Sequence, residues 1–207
     1  MIIPPEALLA QIDTAMSNDV RMPIQQRIKE AGIIRDRFMS SESKEQQDVF
    51  NISFHHLIAR KLASWNTDHR LDRLILDQYI MMLNKCVSTR NFNYMEKADQ
   101  EITDFFVEMP HITYNEVETK VADIAILYMK ANLLQCCYNW TETYLYYISS
   151  VMETHVQYDR SQAILYMDMF LRLRFDNGCR GSEALFSQIV KFAHYLLSPE
   201  ELRQYGI

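Results

Sequence analysis

The chain has 207 residues, of which 48% are hydrophobic and 12% aromatic, with only 4 Gly and 5 Pro. This is enough apolar material for a continuous core and too few turn formers for a β-rich fold. The formal charge of −6 is unevenly placed: residues 1–90 hold 12 Lys/Arg against 11 Asp/Glu, and residues 91–207 hold 9 against 16. Generic binding to nucleic-acid phosphate, which needs clustered cations, is therefore not expected.

Helix punctuation begins early. The opening MIIPPEALLAQ lacks the cationic and long apolar regions of a secretory signal, and Pro4 and Pro5 start a first helix near 5–18. Apolar residues then recur at intervals of three and four through helices expected near 22–39, 44–64, 68–89 and 92–108. Ser43-x-x-Gln46 and Thr113-x-x-Glu116 have the form of capping boxes. Further helices are expected near 115–138, 141–156, 160–175 and 182–197, and Ser198-Pro-Glu-Glu opens a short last one at 199–204. No segment sustains a period of two. The reading is all-α, about nine to ten helices stacked as antiparallel hairpins in a short right-handed array or irregular bundle. Residues 1–66 are expected to form an N-terminal helical segment packing on a hairpin-repeat region at 67–207, the two making one continuous domain.

An internal echo supports the hairpins. AILYM stands at 125–129 and returns at 163–167, an offset of 38, at which Asn139 meets Asn177 and Ser149 meets Ser187. Each copy reads as a long helix, a turn at the Asn and a second helix. In the preceding pair, Ala98 stands twelve residues before Pro110, and Ser187 stands twelve before Pro199. This small-residue-to-proline spacing resembles tetratricopeptide-type helical hairpins over residues 68–207, although the period is not 34 and the Trp-Leu-Gly signature is absent. The resemblance implies a curved surface that holds a partner peptide or helix.

Chemistry leaves little trace. No H-E-x-x-H, G-x-S-x-G, Walker loop or G-x-G-x-x-G occurs. Cys86, Cys136, Cys137 and Cys179 show no C-x-x-C spacing, so neither a metal nor any other cofactor is expected, and the thiols read as reduced. The acids between residues 96 and 123 read as a solvated face. His55-His56 is the densest polar pair in an apolar helix, and a deep polar pocket around it would mark an enzyme without a recognisable motif.

Two surfaces stand out. Tyr138, Trp140, Tyr144, Tyr146 and Tyr147 fall within ten residues, and Trp140, Tyr144 and Tyr147 share a helix face. Exposed members of such a cluster suit a binding hot spot. Arg27, Arg35, Arg37, Arg60 and Lys61 make the first half the basic side of the molecule, although Glu30 and Asp36 are interleaved. The expected function is non-enzymatic: an adaptor, chaperone-like or assembly-scaffold subunit, cytoplasmic and soluble, without a membrane partner. Its partner would be a protein peptide or helix, with a homodimer pairing basic and acidic halves as a further option. A nucleic-acid-associated regulator or nucleoprotein using the basic helices is the alternative function.

Overall fold

The computed structural model describes residues 5–17, 21–40 and 42–108, and beyond them 120–121, 123–124, 127–128, 130–131, 161, 164, 168, 187, 190–191, 193–194 and 197–207. Every regular element among the described residues is helical. Six helices are defined there: α1 Pro5–Ser17, α2 Ile24–Met39, α3 Lys44–Trp65, α4 Asp72–Thr89, α5 Phe92–Glu108 and α6 Pro199–Gln204. Among the described residues the count is six, which does not support the nine to ten expected. The helix anticipated at 141–156, most of those at 115–138, 160–175 and 182–197, and most of both AILYM copies lie outside the described residues. No described helix is long and apolar enough to cross a membrane.

The chain divides into two compact units, residues 1–117 and 118–207. The anticipated join at 66/67 lies between α3 and α4, whose mutual packing is the most extensive of any helix pair described. α3 also touches α1, α2 and α5. That is why it buries Phe50, Ile52, Phe54, Ile58, Ala59 and Leu62 on more than one side and lacks a single apolar stripe. α4 answers with Ile75, Leu76, Tyr79, Met82, Leu83 and Cys86.

Helix starts follow their caps. Ser43 accepts the Gln46 backbone N–H, and Gln46 Oε1 accepts the Ser43 N–H, so the anticipated capping box opens α3. The same arrangement between Ser198 and Glu201 opens α6. α4 begins at Asp72, four residues later than the spacing suggests. Asn66 is the reason: its side-chain oxygen accepts the Leu71 N–H at 2.9 Å, and its amide donates to the Asp72 carboxylate. With His69 held at φ 60°, residues 66–71 form a tied turn in place of a first helical turn.

In the second unit the described positions from Lys120 to Ala131 are helical, with Val121, Ile124, Leu127, Tyr128 and Ala131 buried at helical spacing. Tyr205, just after α6, donates its hydroxyl to Asp168 at 2.9 Å.

α4 ends in a left-handed residue that is not glycine. Arg90 sits at φ 58°, its N–H reaching the Val87 carbonyl, while the Asn91 N–H bonds Cys86 O at 2.9 Å. This six-to-one closure normally takes Gly, because any Cβ is strained in the left-handed region. Arg90→Gly is expected to stabilise the chain by about 0.5–1 kcal/mol in chemical denaturation. A loss of stability would show that the Arg90 side chain contributes more than its backbone strain costs.

Candidate functional site

The five cations named from the sequence do not form one surface. Arg27 is buried at 6% exposure. Its guanidinium donates to Met22 O at 3.0 Å and Met16 O at 3.3 Å, and lies over the Trp65 ring at 5.5 Å. It thus caps the carbonyl end of α1, where the helix dipole favours a cation, and ties α1 to α2 and α3. Arg35 is paired with Asp36 at 2.9 Å and stacked over Phe54 at 4.7 Å. Lys61 reaches Asp13 of α1 at 2.8 Å, and Arg60 approaches Glu101 of α5 at 3.5 Å. Arg37 alone among the five is exposed without an ion pair among the described residues. Four of the five, all but Arg37, are therefore engaged between helices. Charge counting missed this because it sees carboxylates but not carbonyl ends. The aromatic set Tyr138, Trp140, Tyr144, Tyr146 and Tyr147 lies outside the described residues.

His55 borders an open cleft of about 600 Å³ between α2, α3 and α4, with Arg35, Met39, Asn51, Met81, Asn84, Lys85 and Ser88. The cleft is wide-mouthed, and several of its polar groups are already engaged. The His55 Nδ1–H donates to Gln78 Oε1 at 2.8 Å, which accounts for a buried amide among the apolar residues of α4. Burial holds the His55 pKa below its ordinary 6.5; the Gln78 bond opposes that shift and the nearby Arg35 charge adds to it. Lys85 is held by Asp48. His56 points elsewhere, meeting Glu101 at 2.9 Å.

Nucleophiles fare no better. The Cys86 thiol is fully buried, and burial pushes its pKa up to about 12, far from the thiolate that reactivity requires. Tyr79 is likewise buried and its pKa raised by desolvation, with the Glu101 charge adding to the shift. No group of three or more metal-ligating side chains occurs among the described residues.

A second recess has a different character. Leu9 of α1, Phe38 of α2, and Val49 and Phe50 of α3 line about 250 Å³ whose floor is apolar, rimmed by Glu42, Glu45, Gln46 and Ser53. Phe38 and Phe50 fix the floor with ring centroids 4.6 Å apart. The rim is fixed too. Gln46 is spent in the α3 capping box, and Gln47 donates to both Met39 O at 2.7 Å and Glu42 O at 2.8 Å, locking the α2–α3 turn. Neither Glu42 nor Glu45 forms an ion pair among the described residues. Sequence reasoning did not single out these residues, since they come from three helices and no local pattern joins them. The nearest signal was Phe38, a large ring ending α2 just before the Ser-rich turn.

Comparison with protein families, with curated proteins and with solved structures gives no match, so the geometry alone carries the functional argument.

The neutral His55 has a pH consequence. Its folded pKa lies below the unfolded 6.5, so the unfolded chain binds the proton more readily. The stabilisation from keeping this ring neutral is fully present above pH 6.5 and is lost as pH falls from there through the folded pKa. Urea denaturation of wild type and His55→Gln at pH 7.5 and 5.5 should show wild type losing more stability than the variant on acidification. Equal losses would mean that the ring is charged in the fold.

Proposed function

We propose that this chain is a non-enzymatic protein–protein interaction module, an adaptor, chaperone-like or assembly-scaffold subunit that holds a peptide or helix of a protein partner. The preformed apolar recess between α1, α2 and α3 carries the reading. At about 250 Å³ it falls below the roughly 300–1,000 Å³ of small-molecule and cofactor sites and suits one or two large side chains. Its floor and rim are held by ring contact and hydrogen bonds, so a ligand would meet a surface already ordered, which lowers the cost of binding.

The occupant favoured by an all-helical neighbourhood is itself a helix. A helix satisfies its own backbone groups and reads a groove through side chains at i, i+3 and i+4, whereas an extended peptide needs a strand edge to pair with. The engaged His55, the inert Cys86 and the paired cations support binding over catalysis or nucleic-acid recognition. The reading includes a cytoplasmic setting, suited to cysteines without C-x-x-C spacing. It also takes α4 and α5 as the first hairpin of a tetratricopeptide-like array; the fully buried Ala98 sits where that resemblance asks for a small residue.

The test is a photo-reactive benzophenone residue placed at Ser53 on the recess rim, with Glu96 on the exposed side of α5 as the control position. Irradiation in an extract of the source cells should give a discrete protein adduct at least about tenfold stronger from position 53 than from 96, as for an interface contact of ordinary strength. Equal labelling from both positions, or none from 53, would remove the recess as a docking site.

A further inference from the structure

The recess calls for a large apolar side chain flanked by cations, and α2 displays one. Ile33 is 45% exposed; it and Met81 are the large apolar side chains so exposed among the described residues. Lys29 and Arg37 stand four residues to either side, on the same helix face. Both are exposed, and neither forms an ion pair among the described residues. Of the acids on that face, Asp36 is bonded to Arg35 and Glu30 is half-buried. The recess rim presents Glu42 and Glu45, with Lys44 between them in sequence. Counting Glu30 and Lys44, the two faces still carry opposite net charge.

We infer that a second copy of this chain fills the recess. Ile33 of one copy enters among Leu9, Phe38, Val49 and Phe50 of the next, with its Lys29 and Arg37 against Glu42 and Glu45. The inference rests on the recess being a protein-docking site, as argued under Proposed function. The geometry also fixes the mode of association. Phe38 follows Ile33 by five residues, about 140° round the helix, so knob and recess look away from each other. One contact therefore cannot satisfy both patches of both copies, as a two-fold dimer would require. Each copy presents a knob at one side and a recess at the other, and association runs head to tail, growing into a chain or closing into a ring. A contact of one helix face in one small recess is weak.

Sedimentation velocity of the full chain tests this. The weight-average mass should climb from 24.5 kDa past that of two copies as concentration rises, over a range of about 1–200 μM, and fall back in high salt as exposed charges are screened. Ile33→Asp removes the knob and Ser53→Trp blocks the recess, so each variant alone should stay monomeric. Mixed in equal amounts they keep one good knob and one good recess, and should form a complex that stops at two chains. Glu42→Lys with Glu45→Lys, two changes outside the core, should also stop growth, and adding Lys29→Glu with Arg37→Glu to the same chain should restore it. Circular dichroism confirms folding of each variant, and the charge reversals keep the test open should Ser53→Trp misfold. Wild type remaining at 24.5 kDa throughout, growth persisting in Ile33→Asp, or a mixture of single variants that stays monomeric overturns the inference. If wild type is monomeric while position 53 still captures a discrete partner, the docking site stands with another occupant; if position 53 captures nothing, both fall.

Discussion

The first unit depends on α3 being held in one rotation about its own axis. Packing against α4, the most extensive of any helix pair described, supplies most of that constraint. Apolar contact alone tolerates small slips, because it is non-directional. The His55 bond to Gln78 does not: it is a single directional link inside the interface, and sliding either helix would leave a buried amide unpaired at about 1–3 kcal/mol. Around the margin, Lys61 to Asp13, Lys85 to Asp48 and Arg60 to Glu101 connect α3 to α1, α4 and α5. Each of these partly exposed pairs contributes little on its own, but together they agree on the same rotation.

That rotation positions the recess. With α3 fixed along its length and its first turn closed by the Ser43 box, Val49, Phe50 and Ser53 have one direction in which to face, toward Leu9 and Phe38. Arg27 completes the arrangement by tying the end of α1 to α2. Polar groups that elsewhere would serve chemistry are consumed in this bracing: His55 orders an interface, His56 and Arg60 share Glu101, and Cys86 fills core. Among the described residues, the proposed function therefore rests on shape and on unpaired charge at the surface.

Much of this architecture was legible in the sequence where a single residue or a local period decides structure. Ser43 with Gln46 and Ser198 with Glu201 announced helix starts because a capping box is complete within four residues. The stripe from Ile75 to Cys86 announced the buried face of α4 for the same local reason. Other features depended on partners distant in the chain. Asn66 tied to Asp72 moved the start of α4, Arg27 turned from surface cation to buried cap once the end of α1 came near, and Ile33 and Ile34 cannot be told apart by composition although one of them is exposed. The recess itself draws Leu9, Phe38 and Val49 from three helices, so it exists only after those helices have packed.

A site that is preformed and met by a complementary face should respond as one unit. Methyl-resolved NMR reads that directly, because Leu9 and Val49 lie in the recess, Ile33 lies on the facing patch, and Leu62 and Ile75 are buried in the core. On raising the protein concentration, the Ile33, Leu9 and Val49 methyl signals are expected to move together along one binding curve while those of Leu62 and Ile75 stay fixed. Ile33 moving without Leu9 and Val49, or all five moving alike, would contradict the account.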